Sequence, residues 1–202
     1  MAIMPMRKSP VAMMGKRVHL RLPRRADQQA FIAAARASRR LHSGWVQAPE
    51  TPAAYVAYVE RYAFRGRSPR HAGFLVVRND DGALAGVINF SEIVRGAFHS
   101  AYVGYYAFVQ LAGDGYMTEG FALALDFAFR RLALHRVEAN VQPANRRSIA
   151  LVSRLGFERE GYSRRYVKIS GRWRDHVRFA MLAEDWKTHR ATVRRAIAVA
   201  AA

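Results

Sequence analysis

Residues 100–120 read SAYVGYYAFVQLAGDGYMTEG, a run of aromatic and β-branched residues that halts at two glycines and passes into an apolar helical pattern. Glycine lowers helix stability, so Gly113 and Gly115 at a helix start point to a backbone that turns sharply or comes close to something. The first turn of a helix carries unpaired N–H groups and the positive end of the dipole, which suits an anion. A tight strand-to-helix turn with no ligand uses the same two glycines, so the surrounding pattern has to decide.

That pattern is α/β. RVHLRL (17–22) alternates as a strand, and Asp27 stands as a cap before a helix over 28–40. TPAAYVAYVERYAFR (51–65) repeats Tyr55, Tyr58, Val59 and Tyr62 at helical spacing. GFLVVR (73–78), the turn NDDG and LAGVINFS (84–91) form an antiparallel hairpin, and 100–109 is a further strand. The long helix, about 117–132, sets Glu119, Asp126 and Arg130 on one face and Phe121, Leu125, Ala128 and Leu132 on another. Asp126 and Arg130 stand at ion-pair spacing on it. RVEANV (136–141) is a strand, 145–156 a helix stopped by Gly156, and YSRRYVKI, the turn SG and RWRDHVRFAML close the chain as a long hairpin. The expected fold is a mixed, mostly antiparallel sheet flanked by helices. One domain spans 16–188, with an N-terminal tail over 1–15 and a C-terminal tail over 189–202 that either extends as a helix or frays.

The absence of cysteine removes disulfides, a thiolate nucleophile and thiolate metal clusters. The seven histidines lack paired metal spacing, and no metal site is expected. No apolar run approaches the roughly 20 residues of a membrane span, and the first ten residues do not read as a signal peptide. A cytoplasmic protein with no membrane partner is expected. The net charge of +18, carried by 29 arginines against four lysines, suits an acidic partner: nucleic acid, the ribosome or a polyphosphate cofactor. Such an arginine bias also arises from codon composition, and no nucleic-acid-binding motif accompanies it.

The strand, glycine turn and helix, followed by a strand ending in QPANRRS, resemble the general N-acetyltransferase (GNAT) superfamily. GVINFSEIVRGAFHSAYVGY, GDGYMTEG, HRVEANVQPANRRS, LGFEREGY and SGRWRDHVRFAMLAEDW resemble successive segments of its ribosomal-protein-alanine branch, from about residue 17 to 186 and most closely from 84 onward. The resemblance implies acetyl-CoA as cosubstrate, with Gly113, Asp114, Gly115, Tyr116 and Met117 cradling the pyrophosphate. It implies Phe108 and Val109, at the end of the cofactor strand, beside the pantetheine arm. It also implies a protein N-terminus as acceptor, a ribosomal protein in particular, with rRNA or ribosome contact through the basic surface, and a monomer or homodimer. Acetylation of a small amine, such as an antibiotic or polyamine, and a non-catalytic RNA-binding protein on the same fold are the rival readings.

The superfamily turn aligns as Ala112, Gly113, Asp114, Gly115, Tyr116 and Met117, which puts the acid Asp114 where a basic residue is common. A register starting at Gln110 also satisfies the glycine spacing but leaves the following helix out of step. Many relatives carry an acid tyrosine where this chain has Val152, and some carry a glutamate where it has Asn140. An N-x-x-S pattern takes over here, so Asn145 is implied to hold the pantetheine side and Ser148 to assist thiolate departure; Ser148 as a mere helix-cap group is the alternative. Glu160, in EREGY, is implied as the active-site carboxylate, with Glu92 and Glu138 as weaker alternatives. Trp173, Arg174 and Asp175 either shape the hairpin beside the substrate or are structural.

Overall fold

The computed structural model describes residues 11–62 and 69–199. Its helices are α1 (Gln28–Ala37), α2 (Arg39–His42), α3 (Pro52–Tyr62), α4 (Tyr116–Arg130), α5 (Arg146–Arg154) and α6 (Ala183–Val199). Its strands are β1 (Val11–Met14), β2 (Val18–Arg21), β3 (Ala72–Arg78), β4 (Leu84–Val94), β5 (Ser100–Ala107), β6 (Arg136–Val141), β7 (Glu158–Ile169) and β8 (Arg172–Leu182). All eight join one sheet in the order β1-β2-β3-β4-β5-β6-β8-β7. Neighbours are antiparallel throughout except β5 and β6. The exception has a local cause: β5 and β6 are joined through α4, and a crossover helix brings the chain back in the same direction.

Each face of the sheet is covered by its own helices. On one, Phe74, Ile88, Val137, Phe179 and Met181 pack with Phe121 and Leu125 of α4, Val152 of α5 and Trp186 of α6. On the other, Leu75, Val77, Val87 and Phe108 pack with Phe31 of α1 and Tyr55 and Tyr58 of α3. Phe31, Phe74, Phe108 and Phe121 have no exposed surface, and burying such a side chain contributes roughly 1.5–3 kcal/mol.

Several local expectations shift. The helix expected over 28–40 breaks at Ser38, whose hydroxyl bonds back to the Ala34 carbonyl at 2.7 Å. Asp27 does not cap it; its carboxylate takes the Arg21 guanidinium in two bonds of 2.6 and 2.8 Å and the Arg24 N–H. Residues 11–14, in the expected N-terminal tail, form β1 on the edge of the sheet; residues 1–10 lie outside the described residues, as do 63–65 of the helical stretch expected over 51–65. The boundary expected at 188/189 falls inside α6. Asp126 turns to that helix and not to Arg130: it is 1% exposed and accepts from Trp186 Nε1 (3.0 Å), Arg190 (3.3 Å) and Arg194 (2.7 Å), while Arg130 stays exposed. Among the described residues no helix is long and apolar enough to cross a membrane, and no cluster of side chains is placed to hold a metal ion.

Candidate active site

The parallel junction between β5 and β6 covers only Ser100–Tyr102 against Arg136–Glu138, although β5 runs on to Ala107 and β6 to Val141. The strands part there, and the facing backbone edges lose their partners within the sheet. A parted sheet of this kind offers main-chain donors and acceptors to an extended, amide-bearing ligand. At the mouth of the gap sits the glycine turn. Gly113 and Gly115 have φ of 108° and 82°, backbone that L side chains rarely adopt, and Gly115 is the residue preceding α4. A Cβ on Gly115 would also lie 3.1 Å from Arg17 Nη2. No side chain caps α4 from this position, so its first-turn N–H groups face the turn without an intrahelical acceptor.

Arg17 organises this corner. Its backbone N–H and Nε donate to the two oxygens of Glu119 at 2.9 and 3.3 Å, and its Nη1 donates to the Asp114 carbonyl at 3.0 Å. Its guanidinium also lies 4.8 Å from the centre of the Tyr116 ring. Glu119, expected on a polar face, is thus buried and ion-paired. Met117 packs into the core and Tyr116 lies beneath Arg17, so any contact these two make with an anion comes from their backbone. Next to the turn is a cleft of about 520 Å³ lined by Arg17, Gly113, Asp114, Gly115, Thr118 and Arg154, with Val193, Ala196 and Ile197 of α6 closing one side.

Asn145 caps α5, its Oδ1 accepting the Ser148 N–H at 3.1 Å. Ser148 is not the cap: its Oγ lies 2.5 Å from the hydroxyl of Tyr105 on β5. Burial pushes the Tyr105 phenol well above its ordinary range, so it stays protonated. Tyr105 carries no motif, and its partnership with a residue 43 positions away was not readable from the sequence. Val152 lies in the core. Phe108 is also in the core, its N–H bound to Ala85 O at 2.9 Å, and the Val109 N–H is bound to Ser38 Oγ at 2.9 Å.

On the opposite face, beside Tyr105, lies a second cavity of about 420 Å³. Tyr58, Tyr62, Asn89, Ser91 and Tyr106 line it, and among the described residues Arg61 is its charged residue and no carboxylate reaches it. Burial raises the phenols of Tyr58, Tyr62 and Tyr106, which leaves them neutral. The Tyr106 hydroxyl is buried without a hydrogen-bond partner among the described residues. Gly104 forms part of the floor, and a Cβ there would meet nothing within 4 Å.

The expected carboxylates are placed elsewhere. Glu160 is clamped by both terminal nitrogens of Arg136, which also donates to Glu138 at 2.9 Å. That pairing holds the Glu160 carboxyl below the ordinary carboxylate range. It is neither in the cavity beside Tyr105 nor basic enough to take a proton efficiently at neutral pH. Glu92 pairs with Arg70 at 2.7 Å. Asp175 accepts from the Tyr162 hydroxyl and from the Arg165 N–H, tying the irregular stretch of β7 to β8, and Trp173 is 61% exposed.

A sheet parted at its one parallel junction, with an anion cradle at the mouth, is the architecture of an acetyltransferase domain. The chain belongs to the GNAT acetyltransferase family, whose domain model matches residues 17–158. It is similar to the ribosomal protein uS5-alanine N-acetyltransferase of Escherichia coli K12, 45% identical over 107 residues, which are 53% of this chain and 55% of that protein. The chain therefore spans about half the length of that relative. It is 37% identical over 127 residues to the probable N-acetyltransferase YjcK of Bacillus subtilis, covering 63% of this chain and 70% of that one. Among solved structures, Mycobacterium smegmatis RimJ in complex with CoA-disulfide superposes with a TM-score of 0.78 at 28% identity, over 88% of this chain and 90% of that one.

Proposed function

We propose that this chain transfers acetyl from acetyl-CoA to the N-terminal α-amine of a protein, a ribosomal protein beginning with alanine or another small residue. The observation that carries the reading is the cavity on the α3 face of the sheet, lined in part by Tyr105 and, among the described residues, by no carboxylate. A site for a polyamine or aminoglycoside needs negative charge to bind a multiply charged cation. Among the described residues, the lining of this cavity carries one arginine and neutral phenols. It suits an amine that arrives nearly neutral, and an α-amine, with a pKa of about 7.7–8.0, does so far more readily than a lysine at about 10.4.

The residues present fit coenzyme A. The turn at Gly113–Gly115, the first-turn amides of α4 and the Arg17 guanidinium beside the turn suit a pyrophosphate. The parted edges of β5 and β6 suit the two amides of the pantetheine arm. Acetyl-CoA supplies an activated acyl group on sulfur. With acetyl-CoA bound, Ser148 Oγ would deliver a proton to the departing sulfur and regain one from solvent, while Tyr105, 2.5 Å away and still protonated, would hold that hydroxyl in place. The proton lost by the amine leaves to solvent, because no carboxylate in the cavity receives it. Support for the acceptor class comes from the relatives, among them the enzyme that acetylates uS5 on alanine.

The test is competition between an Ala-initiated peptide, an N-terminally blocked lysine peptide and spermidine, with acetyl-CoA and products read by mass spectrometry. Acetylation of the Ala-peptide should dominate. Equal rates on the lysine peptide, or faster acetylation of spermidine, would reject this acceptor class.

A further inference from the structure

The C-terminal helix lies outside the stretch that the family model matches, which ends at residue 158. It nonetheless forms a wall of the coenzyme cleft. Val193, Ala196 and Ile197 of α6 face Arg17, Arg154 and the glycine turn across it. The helix is held there by bonds to one buried carboxylate: Asp126, in the middle of α4, accepts from Trp186, Arg190 and Arg194 at three successive levels of α6. Val193 and Trp186 are core residues, and His189 packs against Gly156 at the end of α5, where a Cβ would lie 3.3 Å from the ring. The helix thus bridges α4 and the end of α5 and flanks the side of the cleft where Arg154 projects.

The two chemistries of this cleft match one end of the coenzyme. Arg17 is committed to Glu119, whereas Arg154 is exposed, its Nη1 donating to the Thr118 hydroxyl at 3.5 Å. An exposed cation beside an apolar helical wall suits a flat heterocycle that carries a phosphate. We infer that α6, together with Arg154, is the subsite for the 3′-phosphoadenosine end of coenzyme A, so that the C-terminal helix makes the protein selective for the whole coenzyme over its pantetheine portion. The inference rests on coenzyme A being the cosubstrate and not on the identity of the acceptor.

Isothermal titration of the full chain with CoA and with 4′-phosphopantetheine tests it. The variant is Ala196→Glu, at an exposed position that leaves the core packing intact. CoA affinity should fall about tenfold while 4′-phosphopantetheine affinity changes by less than roughly threefold. Unchanged CoA affinity, or an equal loss for both ligands, would overturn the subsite. A second measurement uses the wild-type chain: CoA should slow amide exchange across 190–199 more than saturating 4′-phosphopantetheine does, and equal protection would overturn the subsite. A wild-type chain that binds neither ligand fails earlier, at the use of the coenzyme itself.

Discussion

The Arg17–Glu119 pair is where chemistry and stability meet in single residues. Glu119 is 4% exposed and its bonds come from the Arg17 backbone N–H and guanidinium, so removing the guanidinium leaves a buried charge held by a neutral N–H alone. Arg17→Met should therefore cost about 3–5 kcal/mol of stability, read by urea unfolding, and a loss under roughly 1 kcal/mol would mean that Glu119 is better solvated than its position suggests. Ser148→Ala and Tyr105→Phe act on turnover instead. The first should lower kcat roughly 10- to 100-fold, because solvent replaces a positioned acid poorly, and the second by less, with the Kd for CoA nearly unchanged in both. A Ser148→Ala enzyme with full kcat would remove the proton-delivery role. Glu160→Gln should leave kcat close to wild type, since that carboxylate is occupied by Arg136. A strong loss of kcat there would restore it as a base. The two glycines of the turn were legible in the sequence because their signal is local, and Asn145 and Ser148 through the family resemblance that carries the N-x-x-S pattern. Arg17 and Tyr105 were not, because each acts on a residue far along the chain, 102 and 43 positions away.

Among elements, the sheet and the helices on its faces follow from periodicity, and β6 spans the expected residues 136–141. What periodicity does not carry is the direction in which a polar residue points. Asp126 has the spacing to pair with Arg130, yet α6 presents two arginines and an indole N–H to the same carboxylate. The tail was ambiguous for that reason: its few apolar residues anchor a helix only when a buried acceptor lies under it. Asp126→Ala should destabilise by about 2 kcal/mol, less than the roughly 3–5 kcal/mol of a fully buried pair, because Arg190 and Arg194 remain partly in solvent. β8 adds a pH dependence. Burial lowers the pKa of His176, so the folded protein favours its neutral ring. That contribution is complete above the unfolded value of about 6.5 and is lost as pH falls below it. Melting temperature should decline on acidification below about pH 6.5, and His176→Gln should flatten that part of the curve. An unaltered slope in the variant would assign the decline to other groups.

For the whole molecule, the proposed reaction uses a cavity on each face of the sheet: coenzyme on the α4–α5 side, where Tyr105 bonds to Ser148, and acceptor amine on the α3 side, where Tyr105 also forms part of the lining. In the proposed reaction the protein supplies an acid but, among the described residues lining the acceptor cavity, no carboxylate base, and so depends on the acceptor's own deprotonation. The most direct measurement is kcat/KM for an Ala-initiated peptide between pH 6 and pH 9. It should rise close to tenfold per pH unit and level off near the α-amine pKa of about 7.7–8.0, with no descending limb, since Tyr105 remains protonated throughout. A bell with its maximum below pH 7, or a profile flat from pH 6, would show that an ionised base on the enzyme removes the proton, and would contradict the account.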